Sequence, residues 1–250
     1  MEAWQAHDPD RDASAGAAAA TQLAGLCLVT GRVPEAIAWG ERAAGARTAP
    51  AGVRHAALGL LAMTLARDGR GPGGLARLAF LPAAPSGVPV EDTDTLALRG
   101  MARVVTEDLA AAAADLSAAA ARLRAGVPLR TGSLCLAHLA VAEWHLGWWD
   151  DAVVHAELAV SLDRDADRVL ELGSKHFIAA IIPAQRGDWE AASAHVEMAA
   201  QAARTTGAPR EIIAAATARE VLATARGDLE AVTGAAAAVR AAGTRRRTRK

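Results

Sequence analysis

Histidines, carboxylates and arginines are the residues of this chain that could do chemistry, and their spacing limits what that chemistry is. Seven histidines invite a metal ion. His138 and His145 lie seven residues apart, two turns along one helix face, too far for two ligands of one ion. The His-Glu-x-x-His spacing, which sets two ligands one turn apart, does not occur. His138 and His176 could converge from neighbouring helices, but the reading taken here is that the chain holds no metal and no cofactor. Nucleophilic catalysis has no support either. There is no Gly-x-Ser-x-Gly elbow, and neither Cys27 nor Cys135 has an arranged His or Asp partner. The glycine-rich run from Gly69 to Gly74 lacks the Lys and the hydroxyl of a phosphate loop and reads as a plain loop. If the chain is an enzyme, Glu143 and His176 are its acid/base pair.

Binding chemistry is better supplied. Arg99, Arg103, His138, Glu143, His176 and Trp144 are polar or bulky residues on helices whose packing does not call for them, and His55 and Gln185 join them. Two arginines offer planar forks of donors, which suit a carboxylate-bearing peptide or a small anion. Trp144 and Trp148 could take an apolar ligand or a partner helix. Trp149 and Trp189 are read as packing.

The elements that carry these residues are helices. Apolar residues make up 52% of the 250-residue chain and aromatics only 3%, with no Tyr. Long runs of Ala with Leu, Arg and Glu favour helix, whereas a sheet would want β-branched and aromatic side chains. A pattern Gly-x-Trp-x-x-Ala occurs at Gly147, Trp149 and Ala152 and returns 40 residues later at Gly187, Trp189 and Ala192. Weaker copies start at 31, 71, 107 and 227. In each but the copy at 107, where Glu107 replaces it, a Gly ends a leading helix. Acids then suit the positive first turn of a following helix, as Asp188 and Glu190 do. The large residue two after the Gly plugs the groove between the helices, and the small one three further on lets them approach.

These residues resemble the tetratricopeptide repeat, whose turn reads Gly-Asp-Tyr-Glu-Glu-Ala against Gly187-Asp188-Trp189-Glu190-Ala191-Ala192. The small position seven after that Ala is Ala43, Ala83, Ala119, Ala159 and Ala199, with Val239 in the last unit. The small residue inside the leading helix is Ala24, Gly100, Ala140 and Ala180, while Thr64 and Glu220 depart from it. The period of about 40 also departs from the family's 34. Longer repeats of this kind, and the stretch Leu136–Ala152 in particular, are similar to the C-terminal sensor region of MalT-like and large LuxR-type bacterial transcriptional regulators. The resemblance implies an all-α, right-handed superhelical solenoid of about six helix-turn-helix units. It also implies a non-enzymatic binding scaffold, for ligand sensing or protein-segment docking, without the ATPase and DNA-binding parts of those regulators. The runner-up is a small biosynthetic enzyme with its substrate inside the superhelix.

Residues 1–16 read as a frayed segment, 17–242 as the repeat domain and 243–250 as a basic disordered tail, with Arg245, Arg246, Arg247, Arg249 and Lys250 in six residues. Loops are expected at 45–52, 82–94, 124–132 and 204–209. The second unit should have a short second helix, and Pro183 should kink the leading helix of the fifth. With 27 basic and 28 acidic residues, no long-range field draws the chain to nucleic acid. No run reaches the 18 apolar residues of a membrane span, and the N-terminus lacks a signal-peptide pattern. The expected compartment is the cytoplasm, with both cysteines reduced and buried. The expected partner is a small molecule or a peptide or protein segment in the concave groove, and a homodimer stays open.

Overall fold

The structure is a computed structural model that describes residues 13–234 and residue 237. Among them there is no strand, and the helices come in pairs. The pairs are α1 (Ala13–Val29) with α2 (Val33–Ala44), α3 (Ala51–Arg67) with α4 (Gly71–Ala76), and α5 (Thr93–Val105) with α6 (Leu109–Arg124). They continue with α7 (Gly132–Leu146) and α8 (Trp149–Asp165), then α9 (Leu172–Arg186) and α10 (Trp189–Thr206). Finally α11 (Pro209–Arg226) precedes helical residues 229–234. The expected loops fall between these pairs. Residues 1–12 and the tail 243–250 lie outside the described residues, and α1 already begins at Ala13.

One backbone device closes every pair. The residue ending each leading helix has positive φ: Gly31 77°, Gly69 81°, Glu107 63°, Gly147 83°, Gly187 77° and Gly227 73°. The next residue does two jobs. Its N–H reaches back five residues, as from Arg32 to Cys27 O, Arg70 to Leu65 O, Asp108 to Arg103 O, and Asp188 to Pro183 O (2.7, 2.8, 3.0 and 2.9 Å). Its carbonyl accepts the first bond of the following helix, as Asp188 O does from Ala192 N at 3.1 Å. The left-handed residue thus satisfies carbonyls that a helix end otherwise leaves unpaired.

This device corrects the sequence register in the second unit. The left-handed anchor is Gly69, not Gly71, so the plug position falls on Gly71 and the small position on Gly74. A Cβ on Gly71 would sit 2.2 Å from Thr106 Cγ2, and one on Gly74 would sit 2.7 Å from Ala62 O. The two-residue error arose because four glycines stand within Gly69–Gly74. With the right anchor, Ala62 takes the small position of the leading helix, and the departure assigned to Thr64 disappears. Leu81 then replaces Ala83 at the later position. The short second helix is present, six residues long. Helix α9 continues three residues past Pro183 to Arg186, and the left-handed Gly187 follows directly.

The chain divides into two compact units, Met1–Ala142 and Glu143–Lys250. In the first, Leu61, Leu96, Met101, Leu116 and Leu139 are fully buried. Cys27 and Cys135 are buried too, and burial pushes the Cys135 thiol up to about 12, with the charge of Asp94 adding to it. The irregular stretch between α4 and α5, which contains short turns at Pro85–Gly87 and Val90–Asp92, is held from α6. The Arg122 guanidinium donates to Val88 O (2.6 Å), Pro89 O (3.1 Å), Pro85 O (3.4 Å) and Thr93 Oγ1 (3.1 Å). In the second unit α9, α10 and α11 pack together around Ala180, Ala192, Val196, Ala199, Ala218 and Leu222. Small residues at these contacts let helices come close, so alanine does here what larger apolar residues do in other cores. Among the described residues no helix is long and apolar enough to cross a membrane.

Candidate functional site

Laying the six anchors over one another exposes a polar position that sequence reading missed. Eight residues after the anchors at 107, 147 and 187 stand Asp115, His155 and His195, facing the leading helix of their own pair. Four residues before those anchors stand Arg103, Glu143 and Pro183. In the third pair Arg103 donates to Asp115 Oδ2 at 2.6 Å, and Arg99, 4% exposed, grips both Asp115 oxygens at 2.8 and 2.7 Å. Arg99 also donates to Pro82 O at 2.7 Å. In the fourth pair the acid and the base exchange helices, and buried Glu143 bonds His155 Nδ1 at 2.8 Å.

The fifth pair has Pro183 in that place, so its histidine finds other partners. His195 Nε2 lies 2.8 Å from Glu157 Oε1, and its Nδ1 lies 3.0 Å from Nδ1 of buried His176. An ionised carboxylate only accepts. With both rings neutral, His195 therefore carries its proton on Nε2 and accepts at Nδ1 from His176. Burial, the neighbouring His195 and Arg164 together lower His176 to about 4, which keeps it neutral at ordinary pH.

Most side chains proposed as ligands from sequence are consequently tied into the fold. Arg99 and Arg103 have their forks filled by Asp115. Glu143 and His176, the proposed acid/base pair, each bond a different histidine. His138 Nδ1 contacts Leu134 O of its own helix at 2.8 Å. His55 Nδ1 bonds Asp92 at 2.8 Å and stacks on Phe80 with ring centroids 4.1 Å apart. Among the described residues no group of three or more His, Cys, Asp or Glu is placed to hold a metal.

What remains outward is aromatic and lies at the turns inside the pairs of the second unit. Trp144 Nε1 donates to Gln185 Oε1 at 2.9 Å, and Trp149 Nε1 donates to Trp144 O at 3.2 Å. The Arg186 guanidinium sits 5.9 Å from the Trp149 ring and bonds Asp150 at 2.6 Å. One unit on, Arg226 sits 5.4 Å from the Trp189 ring and bonds Ser193 at 3.1 Å. These contacts link three successive turns into one edge. Trp148 is 51% exposed, Leu229 79% and Trp189 39%. The reading of Trp189 as a buried plug is thereby corrected: its indole rests against Gly187 and under Arg226 at the rim of the groove. Six carboxylates, Asp150, Asp151, Asp188, Glu190, Asp228 and Glu230, stand along the same edge and are all exposed. Asp188 and Asp228 use one oxygen to cap helices, accepting from Ala191 N at 3.1 Å and Ala231 N at 3.0 Å. Beside the third turn a cleft of about 320 Å³ is floored by Val196, Leu222 and Ala223 and rimmed by Arg219, Arg226 and Asp228.

Searches against family models, curated proteins and solved structures match nothing to this chain.

Proposed function

We propose that the chain is a non-catalytic binding scaffold that docks a protein segment on the turn edge of its second unit. In this reading the helix pairs are tetratricopeptide-like units of a solenoid, the arrangement that the resemblance to the sensor region of MalT-like and LuxR-type regulators implies. The observation that carries the proposal is the edge itself. A chain with six tryptophans places four of them, Trp144, Trp148, Trp149 and Trp189, at two neighbouring turns, and leaves Trp148 about half exposed. Exposed Trp beside Arg is the composition of energetic hot spots in protein interfaces. The carboxylates outnumber the arginines there, so the fitting partner is a basic segment with apolar side chains between its charges.

The probe is a synthetic amphipathic helix of alternating Leu and Lys turns, titrated calorimetrically against the wild-type protein and Trp148→Ala. Binding weakened at least tenfold in a variant with an unchanged melting curve supports the edge. Equal affinity for both proteins refutes it.

A further inference from the structure

Resting on that edge as the binding surface, we infer that its resident occupant is the chain's own basic segment, Thr244–Lys250. The segment reads Thr-Arg-Arg-Arg-Thr-Arg-Lys and lies outside the described residues. Three observations converge on it. The first is charge: the segment carries five cations within six residues, opposite in sign to the six exposed carboxylates of the edge. Of these, Asp151, Glu190 and Glu230 neither cap a helix through a side-chain bond nor share the Arg186 ion pair of Asp150.

The second is the mode of contact. At two successive turns the edge already seats a guanidinium against an indole, Arg186 on Trp149 and Arg226 on Trp189. Trp148 offers a further indole of the same kind, half open to solvent. Arginine gains from such a face because its planar, weakly hydrated head stacks while its donors reach neighbouring carboxylates.

The third is reach. Gly234 stands six residues after Asp228 on the edge, and ten residues lie between it and Arg245. Residue 237 is still helical, and the eight steps from it to Arg245 span at most about 29 Å when extended, more than two helix diameters. Tethering on so short a connection gives an effective concentration in the millimolar range, so a contact that binds the free peptide only weakly is largely occupied in the intact chain. A partner with the same basic chemistry must displace this segment, which makes the tail a competitor built into the scaffold.

The test compares the full chain with a version ending at Gly243, using the free peptide Thr-Arg-Arg-Arg-Thr-Arg-Lys as probe and the indole N–H signals as readout. The shortened protein should bind the peptide and shift the signal assigned by Trp148→Phe. The triple change Asp151→Asn, Glu190→Gln, Glu230→Gln should weaken that binding at least tenfold. The full chain should bind the added peptide at least tenfold more weakly than the shortened one, at dilutions where both sediment as monomers. Equal affinity of full and shortened proteins, or binding indifferent to the three carboxylates, overturns the inference. So does a full chain whose mass rises with concentration and falls back on shortening, because the segment then docks on a second copy. The amphipathic Leu/Lys helix separates the two readings. If it binds the shortened protein through Trp148 and the tail peptide does not, the edge stands and its resident occupant is wrong; if neither binds, both fall.

Discussion

Pro183 stands forty residues after Glu143, and that exchange is why His195, unlike His155, has no acid on its own leading helix and turns to Glu157 and His176. The same two positions hold Arg103 with Asp115 in the third pair. One site of the repeat is therefore occupied by an ion pair, by an acid and a histidine on exchanged helices, and by a proline that releases the histidine.

The released arrangement should make stability depend on pH. His176 is lowered to about 4 in the folded chain, against about 6.5 in an unfolded one. Between those values the unfolded state binds a proton that the folded state refuses. The contribution is fully present above about pH 6.5 and is lost as pH falls towards 4, amounting to about 3 kcal/mol at most. Denaturant melts at pH 7 and pH 4.5 should show a smaller loss for His176→Gln than for the wild type. Parallel losses would show that His176 does not carry the dependence.

Asp115 accepts from Arg99 and Arg103 while fully buried, so removing either side leaves a charge without its partner. Arg99→Ala should cost about 3–5 kcal/mol, as breaking buried pairs does. The sequence alone suggested that both arginines could be changed without harm to the fold, and the structure gives the opposite expectation. Arg103→Ala, at a more accessible site, should cost less. Urea melts of the two variants test the order.

Glu107 holds a left-handed backbone that glycine holds at the other five anchors. A side chain there costs roughly 1–2 kcal/mol, partly offset by the greater freedom glycine has when unfolded. Glu107→Gly should raise the melting temperature, with a net gain of about 1 kcal/mol or less. Gly147→Ala, at φ 83°, should lower it. A Glu107→Gly variant that melts lower would mean that its side chain has a stabilising contact outweighing the backbone strain.

Trp189→Ala should cost about 1–2 kcal/mol, below the roughly 3–5 kcal/mol of a fully buried Trp. More than a third of the residue is already exposed, so less surface is lost from the core. A chemical melt giving the larger figure would place the indole deeper in the groove than 39% exposure indicates.

The helix pairs were legible in sequence because their signals are local. A left-handed glycine, an acid in the next first turn and a small residue three further on each act within one turn, and at Gly147 and Gly187 they stand complete. At Gly69–Gly74 the same signal failed, since every candidate anchor was a glycine and what distinguishes them is the backbone, the positive φ of Gly69 and the bond from Arg70 N to Leu65 O. The polar pairs were illegible for a different reason. Arg103 and Asp115 are twelve residues apart, as are Glu143 and His155, and no periodicity within a single helix connects them. A comparison of the units position by position would have shown acid facing base across the turn. Trp148 was legible as an outsider to the repeat; its exposure was not.

Arg122 holds the stretch from Pro85 to Thr93 along its middle, while Arg99 on Pro82 O and His55 on Asp92 fasten its ends. A loop without a hydrogen-bond ladder of its own opens at the free energy of whatever fastens it, far below the global value. Arg122→Ala should thus create a cleavage site for a non-specific protease between Leu81 and Asp92 while the helices keep their resistance. Nicking would then follow the opening equilibrium of a single loop, and amide exchange would quicken there before anywhere else in the first unit.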